Sequence, residues 1–265
     1  MRSQLLFLLA VFIILSCQKD PGKLMAAKPI TIFAAASTGP ALQEIRTYLQ
    51  MHEQLDLRIH VAASSLLAQQ IRAGAPCDLV LLAETSWRIE LAAQKKIVPA
   101  SQMNLLSNRL VIISPLHQKI DLDYSNFSTL AQKVKGRFVI GDPKHVPVGK
   151  YAKSALLSMQ AWQPLMSRFL YAPDARAALL WVELGEAGAG MIYWSDAISS
   201  KKVRIVTLIP ESLHPPIRYP LAICKSGDGP KAKRVKDFLM GREAQIIFIR
   251  HGFMPSQSAA IERAR

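Results

Sequence analysis

Cysteine is scarce in this chain: three residues in 265, at Cys17, Cys77 and Cys224. Cys17 falls in an N-terminal leader described below, which leaves two thiols, too few for a disulfide framework or a thiolate metal site. Cys77 and Cys224 either pair with each other or stay buried and free, and the second is expected. Histidine is thin as well, six residues standing singly, with no His-x-x-x-His pair to hold a metal. Each is read as a surface or hydrogen-bonded residue. A Gly-x-Ser-x-Gly nucleophile elbow is missing. The stretch from Gly141 to Lys150 ends in Gly149-Lys150, but its glycine spacing is wrong for a phosphate-binding loop, and Tyr151 stands where that loop needs Ser or Thr. Gly185, Gly188 and Gly190 miss the dinucleotide fingerprint and precede a strand where the fingerprint follows one, so they read as a turn. An exported enzyme with serine nucleophiles would lack a placed base. Acidic residues are outnumbered, 19 Asp+Glu against 33 Lys+Arg, for a formal charge of +14. Such a balance raises the question of nucleic acid. The charges are scattered, however, and runs such as Lys231 to Lys236 fit a solvated helix face. The positive field instead concentrates small dianions near the surface.

What is present begins with a leader. Arg2 precedes an unbroken apolar run from Leu5 to Leu15, followed by Ser16 and Cys17, which is a signal-peptide pattern. The run is short of the ~20 apolar residues that a permanent span needs. Ile14-Leu15-Ser16-Cys17 resembles the lipobox of bacterial lipoproteins, with cleavage before a lipid-bearing Cys17; the alternative is an ordinary signal peptide cleaved near Ala26-Ala27. Residues 1–17 are thus expected to be a lipoprotein-type signal peptide, and 18–27 a tether. The mature protein is then exported to the periplasm or cell envelope and anchored to the membrane by lipid, which also argues against a nucleic-acid partner.

Beyond Lys28 short β-rich runs alternate with helical patterns, the signature of parallel sheets built from βαβ units. Ile30 to Phe33 reads as a strand, leading through Ala34-Ala35-Ala36-Ser37-Thr38-Gly39 into a helix with Pro40 in its first turn and Leu42, Ile45 and Leu49 on its buried stripe. Leu57, Ile59 and Val61 alternate with Arg58 and His60 as in a strand, and Ala62-Ala63-Ser64-Ser65 leads into a helix stopped by Gly74. The same arrangement occurs twice: strand, small residues, serine, helix. Asp78 to Leu82 fits a strand buried on both faces, with a helix carrying Trp87 and Leu91 after it. Leu110 to Ser114, Phe138 to Ile140, Gly190 to Tyr193, Val203 to Thr207 and Tyr219 to Cys224 read as further strands. Helices are expected from about Gly149 to Met159, Asp174 to Leu184, Pro230 to Met240 and Arg242 to His251. Two such sets suggest an α/β protein of two lobes facing a cleft, with 28–107 and 216–265 forming one lobe and 108–215 the other.

Open α/β sheets bind ligands at the carboxyl ends of their strands, where helix N-termini offer free N–H groups and partial positive charge. Ser37 and Ser64 both fall there. Either serine alone could be a helix N-cap. Two of them, each preceded by alanines that let backbone approach a ligand, favour a site for an oxyanion, which hydroxyls and amides can surround without a buried counter-charge.

The chain resembles the periplasmic molybdate-binding proteins of ABC transporters, which have a two-lobed type II solute-binding fold. The resemblance is carried by Ile-Thr-Ile-Phe-Ala-Ala-Ala-Ser (30 to 37), Ala-Ser-Ser-Leu-Leu-Ala-Gln-Gln-Ile (63 to 71) and Gly-Ala-Pro-Cys-Asp-Leu (74 to 79). Gly-Asp-Pro-Lys-His-Val-Pro-Val-Gly-Lys-Tyr-Ala-Lys (141 to 153) and Ile-Tyr-Trp-Ser-Asp-Ala (192 to 197) follow in order. It implies a non-enzymatic protein without a cofactor and without a free metal cation, binding molybdate or tungstate as a monomer and handing it to a membrane permease. Sulfate or phosphate is the alternative anion. The ligand set implied is the hydroxyls of Ser37, Ser64 and Tyr193 with the backbone N–H groups of Val148 and Ala175. The family often has alanine in place of Val148 and valine in place of Ala175, which leaves the amides unchanged. Gly39-Pro40 and Trp194 depart from its usual small residues. Asp142 and Asp196 are expected to cap helices or orient loops, because carboxylates beside an oxyanion would repel it.

Overall fold

A computed structural model describes residues 28–227 and 229–256. The expected signal peptide, Cys17 and the tether lie outside the described residues. Eleven strands form two sheets among those residues. The first sheet holds β1 (Ile30–Ala35), β2 (Leu57–Ala62), β3 (Leu79–Leu81), β4 (Met103–Ser107), β10 (Arg218–Ile223) and β11 (Met254–Pro255), in the order β11-β4-β10-β3-β1-β2. The second holds β5 (Leu110–Pro115), β6 (Phe138–Gly141), β7 (Phe169–Ala172), β8 (Ala189–Tyr193) and β9 (Val203–Leu208), in the order β7-β6-β8-β5-β9. The chain therefore crosses between sheets twice, through Asn108-Arg109 and again between Leu208 and Arg218.

Purely parallel sheets, as the alternation of strands and helices suggested, are not what forms. β1 pairs in parallel with β2 and β3, and β6 with β7 and β8, but β10 runs antiparallel to β3 and β4 and β5 antiparallel to β8 and β9. The reversed strands are those the chain enters on crossing. Both sheets are therefore mixed.

The inner strands β3, β5, β6 and β8 are buried along their whole length, which is why they read as continuous apolar runs, whereas the edge strand β2 alternates. Ile32 and Ala34 of β1 and Leu110 and Ile112 of β5 pack into one large core, while Phe33, Val111 and Ile113 face smaller clusters under the outer helices. The helix Gly39–His52 buries Leu42, Ile45 and Leu49 as its periodicity requires. The helix Ser64–Arg72 buries Leu67, Ala68 and Ile71 and gives way to Gly74, whose φ of +93° belongs to the left-handed region that glycine tolerates. The helix expected near Gly149 starts at Pro147, a residue at home in the first turn because it has no N–H to waste. The strand expected from Gly190 to Tyr193 is β8, which begins one residue earlier at Ala189. Among the described residues no helix is long and apolar enough to cross a membrane.

Candidate functional site

The carboxyl ends of six strands converge on one small cavity. Ala35, Ala36 and Ser37 follow from β1, Ala62, Ala63 and Ser64 from β2, and Ala83 from β3. From the second sheet come Val146, Pro147 and Val148 after β6, Asp174 and Ala175 after β7, and Tyr193 at the end of β8. All five residues expected from the sequence line this cavity, Ser37 and Ser64 from the first sheet's side and Val148, Ala175 and Tyr193 from the second's. Val148 and Ala175 stand in the first turns of the helices Pro147–Ser158 and Ala175–Glu183. The leading N–H groups of a helix have no partner inside it, and the helix dipole adds positive potential there. Neither Gly39-Pro40 nor Trp194 lines the cavity.

The hydroxyls are arranged as more than caps. Neither Ser37 nor Ser64 makes a side-chain cap to its helix. Ser64 Oγ accepts the N–H of Ala83 at 2.9 Å, and Ser37 Oγ lies 3.0 Å from Tyr219 Oη. Tyr193 is 2% exposed, yet its hydroxyl has no hydrogen-bond partner among the described residues. Burial, then the neighbouring Tyr219 and Tyr151, then Asp196 and Glu84, hold its ionisation well above the usual phenol range. It therefore keeps its proton and can donate.

One carboxylate, Asp174, lines the wall, where the sequence reading expected none near the anion. It is the N-cap of the helix Ala175–Glu183, and its Oδ1 accepts the N–H of Ala177 at 2.9 Å. The other two carboxylates sit apart. Asp142 orders its own turn, its Oδ1 accepting the Lys144 N–H at 2.9 Å. Asp196 was expected to cap or orient a loop, but its side chain is fully buried and meets Arg176 Nη1 at 3.5 Å instead of a backbone N–H. Burial outweighs that guanidinium and pushes its pKa up to about 7.

Two contacts join the sheets' sides at the cavity rim. Lys150 Nζ reaches both carboxylate oxygens of Glu84, at 3.0 and 2.8 Å, and stands over the Trp87 ring at 4.9 Å from its centroid. Tyr151 donates to the carbonyl of Ala83 at 3.4 Å.

Sequence reasoning missed a further layer. Asn108, in the first crossing, bonds Tyr219 Oη at 3.1 Å and Ser195 Oγ at 2.8 Å through its amide nitrogen. All of these side chains are buried. The chemistry available is the enclosure of a small anion by hydroxyls and amides. Neither serine touches a base, since their partners are a phenol and a backbone N–H. Among the described residues no group of three or more His, Cys, Asp or Glu side chains is placed to hold a metal ion. Cys77 and Cys224 are buried, free thiols remote from this cavity, Cys224 donating to Cys77 Sγ at 2.9 Å.

Residues 30–254 match the family of bacterial extracellular solute-binding proteins. The chain belongs to that family. Among solute-binding relatives, the molybdate-binding protein of Escherichia coli is 39% identical over 229 residues, covering 84% of this chain and 88% of that protein. The molybdate-binding protein of Haemophilus influenzae is 31% identical over 230 residues, covering 86% and 91%. The solved periplasmic molybdate-binding protein of Azotobacter vinelandii superposes with a TM-score of 0.77 at 20% identity, covering 86% of this chain and all of that one. At that identity the likeness speaks for the two-lobed solute-binding fold alone.

Proposed function

We propose that this solute-binding protein captures molybdate or tungstate in the cavity between its sheets and delivers it to the permease of an ABC importer. The observation that carries the reading is the buried Tyr193 hydroxyl, left without a partner and facing the same cavity as Ser37 and Ser64. A buried donor with nothing to bond costs about 1 to 3 kcal/mol, which an oxyanion would recover. Ser37, Ser64 and Tyr193 supply hydroxyl donors and Val148 and Ala175 supply backbone N–H groups. The likeness to two molybdate-binding relatives supports the choice of anion. The protein acts without catalysis, as a monomer, and takes no nucleic acid.

The lobes proposed are 28–107 with 216–265, and 108–215. Residues 1–17 are proposed to direct export and Cys17 to carry lipid, so that the protein works in the periplasm or cell envelope, anchored to the membrane; mass spectrometry finding a mature N-terminus beyond Cys17 would end that idea.

A calorimetric titration with four anions tests the function. Molybdate and tungstate, nearly equal in size and charge, are expected to bind alike. Sulfate should bind far more weakly, because its shorter bonds stretch hydrogen bonds to donors fixed on two lobes, and these weaken with length. Phosphate should hardly bind near neutral pH, since it carries a proton into a shell built of donors. Displacement of molybdate by phosphate at comparable concentration would overturn the assignment and point to Asp174 as an acceptor.

A further inference from the structure

We infer that Tyr219 and Asn108 form a hydrogen-bond relay that fixes Ser37 as a donor toward the cavity, and so act as positioning residues for oxyanion recognition. The inference rests on the functional reading above and assigns a direction to each bond in the buried chain Asn108–Tyr219–Ser37.

The direction is set at its far end. The Asn108 amide oxygen accepts the N–H of Arg109 at 2.9 Å and that of Ser195 at 3.4 Å. A backbone N–H can only donate, so the amide oxygen must face these two groups and the amide nitrogen must face the other way. On that other side are Ser195 Oγ at 2.8 Å and Tyr219 Oη at 3.1 Å, each receiving one of the two N–H hydrogens. Tyr219 Oη is therefore an acceptor from Asn108, and its own hydrogen goes to Ser37 Oγ, 3.0 Å away. Ser37 Oγ then accepts from Tyr219, and its hydrogen turns to the cavity that it lines. Ser64 reaches the same state by a shorter route, because the Ala83 N–H at 2.9 Å occupies a lone pair of its oxygen.

The consequence for a dianion is specific. An unrestrained hydroxyl rotates and presents a lone pair as readily as a hydrogen, and a lone pair facing an oxyanion repels it. Holding the rotor beforehand removes that loss at the moment of binding. Tyr219 and Asn108 do not line the cavity; Tyr219 meets its wall through the hydrogen bond to Ser37 and through its ring, 6.0 Å between centroids from that of Tyr193, and only the first contact needs the Tyr219 hydroxyl.

That last point gives the test, a double-mutant cycle read by calorimetric titration with molybdate. Tyr219→Phe keeps the ring and removes the hydroxyl, and is expected to weaken binding about tenfold. In a Ser37→Ala background the same substitution should change affinity by less than about twofold, since no rotor remains to be held. In a Ser64→Ala background it should keep its full effect. An equal loss in all three backgrounds would show that Tyr219 merely supports the structure, and would overturn the relay. Should Tyr219→Phe fail to fold, Asn108→Asp carries the test. The carboxylate still accepts from Arg109 and Ser195, but it cannot donate to Tyr219, so the relay reverses. Its charge repels molybdate in every background, whereas the relay's share must vanish with Ser37; a loss undiminished by Ser37→Ala overturns the proposal. A wild-type chain that binds no molybdate would sink the functional reading, whereas binding with an additive cycle would sink the relay alone.

Discussion

At the scale of single residues, the site trades stability for readiness. Tyr193→Phe removes a buried hydroxyl that no protein group bonds among the described residues, so the protein without molybdate should gain about 1 kcal/mol while affinity for molybdate falls about tenfold to a hundredfold. Thermal unfolding with and without molybdate reads both changes, and a ligand-induced shift as large as in the wild type would remove Tyr193 from the shell. Asp196 offers a second residue-level test. Its pKa rises from 3.8 to about 7 on folding, so between those values the folded state binds more protons than the unfolded one. Stability from this group is therefore greatest below about 4 and is lost as pH rises toward 7. Asp196→Asn should flatten the stability profile across that window, and melting curves at a series of pH values will show whether it does. Ser37 and Ser64 could be named from the pattern of strand, small residues, serine and helix, whereas Val148, Ala175 and Tyr193 came only from the family resemblance. Tyr219 could be named from neither. It meets Ser37 across 182 residues of chain and Asn108 across 111, and neither neighbour leaves a mark in the local pattern.

At the scale of elements, the precision of the site depends on how closely helices seat against strands. The helix Pro147–Ser158 lays Gly149 against the turn after β6 so tightly that an added Cβ would lie 2.0 Å from the carbonyl oxygen of Gly141. Gly149→Ala should cost about 1 to 3 kcal/mol by overpacking and, because Val148 is the preceding residue, weaken anion binding as well. Denaturant unfolding gives the first effect and titration the second; a variant of unchanged stability would mean that the helix shifts freely. Most long helices and strands were legible, since their periodicity follows from burial. β4, β7 and the two-residue β11 were not. β4 has neither a period-two alternation nor a long apolar run, with Asn104 and Ser107 around its two leucines, and β7 is four residues long with Tyr171 turned outward. The antiparallel setting of β5 and β10 was also illegible, because strand direction is decided by partners distant in sequence.

At the scale of the whole molecule, the cavity is closed by contacts between the two sheets' sides. The Lys150–Glu84 pair is partly shielded, its side chains 31% and 17% exposed, and backed by Trp87. Glu84→Gln should loosen closure by about 1 kcal/mol and speed molybdate release about fivefold with a smaller effect on association. Stopped-flow displacement measures this, and an unchanged release rate would show that the pair plays no part in closure. Saturating molybdate should also raise the melting temperature, since only the folded chain binds it, by an amount equivalent to about 2.7 kcal/mol at a hundred times Kd. The interleaving of the sheets bears on how the protein comes into being. The second sheet is drawn from one uninterrupted stretch, Leu110 to Leu208, whereas the first needs strands from both sides of it. A ribosome delivering the chain from its N-terminus therefore releases every strand of the second sheet before β10 exists. Until then β3 presents a bare edge of unpaired N–H and C=O groups, a template for strands of other chains. The half of the molecule holding Ser37 and Ser64 is thus completed last, and synthesis stalled after Leu208 leaves that half open to aggregation.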